Sequence, residues 1–256
     1  MTDDARTCYD ELAPNFHLIF ENWEASMAWQ AARLGPILQR ECGRPGPIRI
    51  LDCACGIGTQ ALGLAQLGFL VSGCDISAAA IERARVEAGL RGLTLPLTVA
   101  DMRDLSGIEA AGFDAVICMD NSLPHLDGAE DLVRAATQMR LKLRPGGILM
   151  AGIRDYDRLV AERPSTQGPA FYSDQGRRRI VFQVWDWLDR RRYVFHLYIT
   201  RDTGAGWQTS HYAAIYRALL REELTGALMH AGFQHVRWMT PEESGYYQPM
   251  ALASAG

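Results

Sequence analysis

The sequence of 256 residues predicts an α/β protein with a doubly wound, mostly parallel seven-stranded sheet. Short apolar segments alternate with helical segments from residue 48 to residue 154. Consecutive strands interrupt this alternation after the fifth strand, and it resumes from residue 220. Because consecutive strands joined by short turns favour antiparallel pairing, we expect an antiparallel insertion at residues 155–219.

Hydrophobic periodicity predicts the individual elements. Residues 9–42 carry apolar side chains near helical spacing, and Pro14 and Gly35-Pro36 are expected to break this segment into pieces. Beyond it we expect core strands at 48–52, 69–75, 97–101, 113–119, 148–153, 235–239 and 250–254, helices within 56–67 and at 77–88, 129–143 and 221–230, and insertion strands at 179–188, 192–200 and 209–219.

This order of elements predicts three parts. An N-terminal helical cap occupies residues 1–44, the core combines 45–154 with 220–256, and the insertion occupies 155–219. Doubly wound folds bind ligands outside the carboxyl ends of their strands, so the insertion is expected to cover the substrate site.

Composition and charge restrict the classes of partner. The formal net charge is -4, which predicts neither nucleic-acid binding nor attachment to a membrane surface. No apolar run approaches the roughly 20 residues that span a bilayer. Residues 1–10 lack the apolar region of a signal peptide, so we expect a cytoplasmic protein. A small-molecule substrate is the partner class that fits, and a homo-oligomer is left open.

Six cysteines are scattered along the chain. Cys53 and Cys55 are separated by one residue, whereas zinc sites usually show pairs separated by two. We therefore expect no metal site, and we interpret the cysteines as small buried side chains beside a tight turn.

Residues 50–61 form the segment most informative about function. A short strand leads into a turn in which Gly56 and Gly58 allow close approach of the backbone to a ligand. Asp75 ends the next strand, 19 residues after Gly56, where a carboxylate can accept two hydrogen bonds from a ribose diol. Gly56, Gly58 and Ala61 also satisfy a dinucleotide-binding motif, so an NAD-dependent oxidoreductase is an alternative.

Three features argue against a dinucleotide. Asp52 stands four residues before Gly56, and a carboxylate there suits a cationic aminoacyl group and opposes a pyrophosphate. Asp101 gives the third strand an acidic tip that suits an adenine amino group. The turn at residues 143–147 precedes a strand rather than a cofactor-binding helix.

Taken together, residues 52–58, Asp75, Asp101 and residues 144–147 resemble the signature set of class I S-adenosylmethionine-dependent methyltransferases. The resemblance covers roughly residues 45–155 and implies a Rossmann-like fold with S-adenosylmethionine as cofactor. The cofactor-binding residues that it implies are Asp52, Ala54, Gly56 and Gly58 for the methionine part, Asp75 for the ribose, Ile76, Asp101 and Met102 for the adenine, and Met119 near the sulfonium.

The loop after the fourth strand, residues 119–126, is expected to lie beside the transferable methyl group. Asn121 and His125 are candidate catalytic and substrate-binding residues, although Asn and His are also common in loops as caps of backbone groups. Water, His125 or Asp120 could accept the proton that an amine nucleophile must lose.

Arg154 ends the fifth strand, where its planar fork could hold a substrate carboxylate. The alternative interpretation is a salt bridge from Arg154 to Asp155 or Asp157.

Among small-molecule enzymes, the chain most resembles glycine N-methyltransferase and its sarcosine-methylating relatives. The matching segments are Tyr9-Asp10, residues 113–126 and residues 154–157. By this similarity Tyr9 closes over the cofactor, Asn121 contacts the substrate amine, Arg154 holds a substrate carboxylate, and Tyr156 belongs to the substrate site.

The sequence also departs from these relatives. Their arginine in the N-terminal helical region has no clear counterpart, and Trp23 and Arg33 are the nearest candidates, of which we assign Trp23 to the cofactor. The insertion carries aromatic side chains that could enclose a bulky substrate or a cation, or could simply fill a core: Trp185, Trp187, Tyr193, Tyr198 and Tyr212.

These features predict transfer of a methyl group from S-adenosylmethionine to a small polar acceptor, the amine of an amino acid or a related metabolite. The alternatives are an O- or C-methyltransferase of secondary metabolism, the NAD-dependent oxidoreductase, and a catalytically silent binding module.

Overall fold

The computed structural model describes residues 3–174 and 176–256. Its N-terminal helices are α1 (Asp3–Leu12), a 3-10 helix (Ala13–Ile19) and α2 (Trp23–Cys42). Pro14 lies at the start of the 3-10 helix, which confirms the predicted break there. Pro36 lies inside α2, so the predicted break at Gly35-Pro36 is wrong.

The position of Pro36 on the helix surface explains why α2 continues. Proline removes the hydrogen bond to the carbonyl of the residue four positions earlier, which is Ala32. Pro36 and Ala32 are both exposed, so water can reach this side of the helix. Leu34 and Leu38 are fully buried, and their packing holds the helix together through the missing bond.

The chain continues with α3 (Thr59–Gln66), α4 (Ala78–Leu90), α5 (Ala129–Lys142), α6 (Tyr156–Glu162), α7 (Arg221–His230) and α8 (Pro241–Ser244). Its strands are β1 (Arg49–Asp52), β2 (Leu70–Asp75), β3 (Leu97–Val99), β4 (Phe113–Cys118), β5 (Leu143–Gly152), β6 (Thr166–Asp174), β7 (Arg177–Trp187), β8 (Arg192–Asp202), β9 (Trp207–Arg217), β10 (Phe233–Met239) and β11 (Met250–Ala255).

A seven-stranded sheet with the order β3-β2-β1-β4-β5-β11-β10 forms the centre of the molecule. The strands β1 to β5 pair in parallel. Strand β11 runs antiparallel to both of its neighbours, β5 and β10. This arrangement confirms the predicted doubly wound, mostly parallel fold, and it places the carboxyl ends of β1, β2 and β4 at one edge of the sheet.

The insertion after β5 is a second sheet with the order β6-β7-β8-β9, and all of its pairings are antiparallel. The sequence predicted three of these strands and missed β6. Residues 166–174 contain Gly168-Pro169, which argues against a central strand, but β6 is an edge strand, where proline is tolerated. Its register shifts between Gln167 and Ala170, next to the proline.

The insertion shares its core with the central sheet. Alternate side chains of β8, including Tyr193, Phe195 and Leu197, are buried in the same apolar cluster as Val116 and Leu149 of the central sheet. The inner face of the insertion is therefore packed over the edge at which the parallel strands end. Within the described ranges, no helix combines the length and apolar character needed to cross a bilayer.

Candidate active site

The glycine-rich turn between β1 and α3 brings the ends of two strands together. The backbone amide of Gly56 donates a hydrogen bond of 2.8 Å to Oδ2 of Asp75. Gly56 and Gly58 both have positive φ angles, of 52° and 97°. A Cβ atom on Gly56 would meet no atom within 4 Å, whereas one on Gly58 would lie 2.8 Å from Leu62. The turn therefore needs Gly58 for packing, and it leaves open space beside Gly56.

Asp75 faces a small cavity of about 60 Å³ beside this turn, and Ala54 and Gly56 line the same cavity. The other carboxylate oxygen of Asp75, Oδ1, accepts a hydrogen bond of 2.9 Å from the amide of Ser77. Burial raises the pKa of Asp75 above its ordinary value, although the bonds from Ser77 and Gly56 lower it. Each carboxylate oxygen keeps lone-pair capacity toward the cavity.

Asp52 lies at the end of β1 and is fully buried. Its Oδ1 accepts a long hydrogen bond of 3.4 Å from Ala54, and its Oδ2 has no hydrogen-bond partner among the described residues. Burial raises the pKa of Asp52 to about 8, and the nearby charges of Asp75 and Asp120 add to this effect. Such a carboxylate is expected to be stabilised by a cationic group.

Three other predicted cofactor residues do not line this small cavity. Ile76, Met102 and Met119 are buried. A Cβ atom on Gly152 would lie 2.9 Å from Cε of Met119, so this methionine is packed against the end of β5. The contacts of Ile76 and Met102 with adenine, and of Met119 with the sulfonium, stay predictions.

Asp101 is already engaged by a neighbouring cation. Its Oδ2 accepts a hydrogen bond of 2.7 Å from the guanidinium of Arg103, which also pairs with Asp131 at 2.7 Å. These bonds lower the pKa of Asp101, against an opposing effect of burial. Part of the acceptor capacity that we assigned to adenine is thus used by Arg103.

Trp23 does not line the small cavity beside Asp75. Its indole nitrogen donates a hydrogen bond of 2.9 Å to the hydroxyl of Thr59, at the start of α3. The side chain therefore supports the helix that follows the turn. Arg33, the other N-terminal candidate, stacks its guanidinium over Trp29 at 4.6 Å.

Tyr9 of α1 joins the helical cap to the loop after β4 and to the insertion. Its hydroxyl lies 2.9 Å from Nε2 of His125 and 2.9 Å from the hydroxyl of Tyr216. Burial lowers the pKa of His125 to about 3, so its imidazole is neutral at physiological pH. His125 is therefore a poor proton acceptor in this environment.

Arg154 faces a second, larger cavity of about 900 Å³ that the helical cap, α6 and the insertion enclose. Its guanidinium donates hydrogen bonds to Tyr193 at 3.0 Å and Gln183 at 3.3 Å, and both partners are neutral. It also lies over the rings of Trp185 at 4.8 Å and Phe195 at 5.5 Å.

The acids beside Arg154 in sequence are engaged elsewhere. Asp155 and Asp157 both pair with Arg221, at 2.6 and 3.0 Å. The alternative interpretation, a salt bridge from Arg154 to either acid, is therefore wrong. Tyr156 is fully buried and is hydrogen-bonded to Tyr193 at 2.9 Å, which places it beneath the cavity surface.

Asn121 faces the same cavity as Arg154 and has a left-handed backbone with φ of 69°. Its Oδ1 accepts a hydrogen bond of 3.0 Å from the amide of Arg154, and its Nδ2 is buried without a partner among the described residues. An unpartnered amide donor at a cavity wall is available to a ligand.

Sequence reasoning missed the buried polar network around Asp120. This carboxylate accepts hydrogen bonds from Gln60, Tyr246 and Tyr247. The amide of Gln60 also donates to Oε1 of Gln30, and the hydroxyl of Tyr246, whose one proton points to Asp120, lies 2.8 Å from the same oxygen. The only signal in the sequence was the polar character of residues 119–126, because the network joins segments that are far apart in the chain.

Comparisons with known proteins agree with this geometry. Residues 50–147 match the family model described as a methyltransferase domain. The chain is 28% identical over 219 residues to the glycine/sarcosine N-methyltransferase of Halorhodospira halochloris, which covers 84% of this chain and 77% of that protein. It is 38% identical over 117 residues to the ubiquinone biosynthesis O-methyltransferase of Methylocella silvestris, which covers 44% of each protein.

Two solved structures share the fold over nearly the whole chain. One is S-adenosylmethionine-bound CalS10, an amino pentose methyltransferase from Micromonospora echinaspora, with a TM-score of 0.72 and 22% identity over 90% of this chain and 92% of that one. The other is Streptomyces venezuelae DesVI, with a TM-score of 0.74 and 20% identity over 100% of both chains. At these identities the likeness establishes the fold.

Proposed function

Because residues 50–147 place this chain among the class I S-adenosylmethionine-dependent methyltransferases, we propose that its acceptor is the amine of an amino acid or a related small metabolite that carries a carboxylate. The cofactor of this family is S-adenosylmethionine, which excludes the alternative of an NAD-dependent oxidoreductase. The proposal concerns the acceptor and the residues that recognise it.

The described residues fit this cofactor. Asp52 offers a buried oxygen without a partner, which suits the cationic aminoacyl group. Asp75 faces the small cavity beside Gly56, where a ligand can approach the backbone closely because a Cβ atom on Gly56 would meet no atom within 4 Å. The bound cofactor supplies a methyl group on a positively charged sulfur, and we assign Asp52, Ala54, Gly56, Gly58 and Asp75 to holding it.

The observation that carries the proposed acceptor is the environment of Arg154. Its guanidinium lies at the cavity surface, its hydrogen-bond partners are neutral, and the neighbouring acids are bound to Arg221. A desolvated guanidinium without an anionic partner is a strong site for a carboxylate. The amide of Asn121 lies next to it and can orient the acceptor between Arg154 and the end of β4.

Orientation is the main catalytic contribution that this site can make. Alignment of a nucleophile with the methyl group can supply several kcal/mol, up to about 7–11 kcal/mol in ideal cases. His125 contributes as a neutral wall residue held by Tyr9, since its depressed pKa disfavours proton uptake.

An O- or C-methyltransferase is the second candidate, because aromatic side chains line much of the larger cavity. Phe16, Phe20 and Trp29 of the N-terminal helices face Trp185 and Phe195 of the insertion. This lining suits an aromatic or otherwise bulky acceptor, and at about 900 Å³ the cavity is far larger than glycine requires.

Product analysis separates these candidates. Purified protein is incubated with S-adenosylmethionine and a panel of amino acids, simple amines and phenols, and the products are identified by mass spectrometry. For each methylated amino acid, the amine that lacks its carboxylate serves as the matched substrate. We expect Arg154→Lys to raise KM for the amino acid by about 10–100-fold and to leave the matched amine nearly unchanged.

Arg158→Lys is the control, because Arg158 lines the mouth of the same cavity and is exposed. Preferential methylation of phenols, or an equal loss for both matched substrates in Arg154→Lys, would contradict the proposed acceptor.

A further inference from the structure

Asp120 lies at the junction of the two cavities, since it lines both the small cavity beside Asp75 and the large cavity that contains Arg154. It lies two residues after the end of β4 and has a left-handed backbone with φ of 55°, and Asn121 after it is also left-handed. Two successive non-glycine residues with positive φ are uncommon, and such conformations cluster at functional sites.

The carboxylate of Asp120 is oriented entirely by neutral donors. Gln60 donates to Oδ2 at 2.6 Å, Tyr246 donates to Oδ1 at 2.5 Å, and Tyr247 also donates to Oδ1. Gln30 accepts from Gln60 at 2.7 Å, which fixes the amide that points at Asp120. Among the described residues Asp120 forms no ion pair, so its negative charge has no cationic partner within the protein.

Asp120 and Arg154 carry opposite charges and line the same large cavity. Among the described residues they form no ion pair with each other. Asn121 stands between them: it follows Asp120 in the chain, and its side chain accepts a hydrogen bond from the amide of Arg154. A ligand with a cationic and an anionic end would satisfy both charges and would remove the desolvation penalty of each.

We propose that Asp120 binds the amine of the acceptor and takes its proton, so that Asp120 and Arg154 together select zwitterionic amino acids. This inference rests on the proposed function and adds to it the residue that recognises the nucleophile. Because Asp120 lies where the two cavities meet, a bound amine would lie between the large cavity and the small cavity that we assign to the cofactor. Methyl transfer would take place there.

The proton balance of the reaction requires a proton acceptor, and Asp120 can serve as one. An amino acid in solution carries an ammonium without a lone pair, and Asp120 takes one of its three protons. The freed electron pair of the nitrogen forms the new N–C bond, while the S–C bond of the methyl donor breaks and its electron pair stays on sulfur. The product keeps two N–H bonds and a positive charge, and Asp120 returns its proton to solvent through the large cavity.

The local environment makes Asp120 a better proton acceptor than a free aspartate. Burial raises its pKa above the ordinary value, and the hydrogen bonds from Tyr246, Tyr247 and Gln60 only partly oppose this. His125, which lines the small cavity together with Asp120 and Asp75, is held neutral with a pKa of about 3.

The test compares Asp120→Asn with Glu242→Gln, which removes a carboxylate from the rim of the same cavity. Each methylated amino acid is assayed with its desamino carboxylic acid as a competitive inhibitor; for glycine, this inhibitor is acetate. We expect Asp120→Asn to lower kcat/KM for the amino acid by about 100-fold or more. Inhibition by the desamino acid and the affinity for S-adenosylhomocysteine by calorimetry should stay within about threefold of the wild type, since neither depends on the acceptor amine.

Tyr247→Phe is a milder second variant, because this tyrosine ring is half exposed and its loss should not impair folding. It removes one of the donors that orient Asp120, so kcat/KM should fall by about tenfold with the same two affinities unchanged.

The outcomes separate the inference from the proposed function. If Asp120→Asn loses affinity for S-adenosylhomocysteine as strongly as it loses activity, Asp120 serves the ammonium of the cofactor, and the inference is overturned. Unchanged kcat/KM in Asp120→Asn, with amines still methylated, overturns the inference and leaves the proposed function standing. If the wild type methylates no amine, the proposed function itself fails.

Discussion

The backbone amide of Arg154 donates a hydrogen bond of 3.0 Å to Oδ1 of Asn121, and this bond ties the loop after β4 to the end of β5. The amide of Asn121 in turn donates to the carbonyl of Gly152 at 3.1 Å. The two segments that carry the candidate substrate groups are therefore held in register by reciprocal bonds through one asparagine.

Replacement of Asn121 should separate backbone strain from hydrogen bonding. Asn121→Ala and Asn121→Gly both remove the bond to Arg154, but only glycine adopts a left-handed backbone without cost. We expect Asn121→Ala to be about 1 kcal/mol less stable to unfolding than Asn121→Gly. Urea denaturation of the two variants measures this difference.

Both variants should also lose activity. Without Oδ1 of Asn121 the amide of Arg154 lacks its partner, so the guanidinium is positioned less well. We expect kcat/KM to fall by about 10–100-fold in each. Equal stability of the two variants would show that the left-handed backbone at residue 121 carries no strain. Full activity in Asn121→Gly would show that the link between the loops has no role in positioning Arg154.

Asp75 and Asp101 should differ in their importance for the cofactor. Asp75 faces the small cavity with free acceptor capacity, whereas Asp101 is held by Arg103. We expect Asp75→Ala to weaken binding of S-adenosylhomocysteine by about 10–100-fold, because hydrogen bonds to a charged acceptor contribute about 1.5–3 kcal/mol. Calorimetry should give a smaller loss for Asp101→Ala.

The comparison also tests our assignment of adenine. An equal loss of affinity in both variants would mean that Asp101 holds the adenine as firmly as Asp75 holds the ribose, despite its pairing with Arg103. Unchanged affinity in Asp75→Ala would contradict the assignment of the ribose to this strand end.

The relation between Gly56 and Asp75 could be predicted from the sequence because it depends on local order. A strand, a glycine turn and a helix precede the next parallel strand, and parallel strands end at one edge of the sheet. Gly56 and Asp75, which are 19 residues apart in the chain, are therefore in contact. The same logic predicted the seven-stranded sheet and the position of Arg154 at the end of β5.

The network around Asp120 could not be predicted in this way. Tyr246 lies 126 residues from Asp120, and the loop before β11 reaches the site only through the packing of the C-terminal strands. Likewise, the pairing of Arg103 with Asp101 depends on side-chain orientation, which periodicity does not report. Long-range polar contacts of this kind follow from tertiary structure rather than from local pattern.

Tyr9 should stabilise the packing of α1 against the loop after β4 and the insertion. Its hydroxyl bonds both His125 and Tyr216, so Tyr9→Phe removes the polar link between the helical cap, the β4 loop and the insertion. A net contribution of about 0.5–1.5 kcal/mol for each of the two hydrogen bonds, at about 2–4 °C per kcal/mol for a protein of this size, predicts a fall in Tm of about 2–12 °C. Limited proteolysis should show faster cleavage near residues 3–20.

Tyr198→Phe is the matched control, because Tyr198 lies on the outer face of the insertion sheet and is stacked on Phe182. Its Tm and proteolysis pattern should match the wild type. If Tyr9→Phe behaves like this control, α1 is held by apolar packing alone.

The buried carboxyl of Asp52 should make stability and cofactor binding depend on pH. Its pKa is raised to about 8 in the folded protein and returns to its ordinary value on unfolding. Between these two values the folded state holds a proton that the unfolded state releases, so the stabilising effect of this group is lost as pH rises toward 8. We expect the Tm of the ligand-free wild type to fall more between pH 6 and pH 8 than that of Asp52→Asn.

Binding of S-adenosylhomocysteine should reverse this protonation, because its ammonium group favours the ionised form of Asp52. Calorimetry near pH 7, in two buffers with different ionisation enthalpies, should then show release of up to about one proton per cofactor bound. Asp52→Asn should bind more weakly and release fewer protons. Asp75 and Asp120 are present in both proteins, so the difference reports on Asp52 together with its coupling to these two acids. Identical proton release in the two proteins would mean that the unpartnered oxygen of Asp52 does not meet the cation.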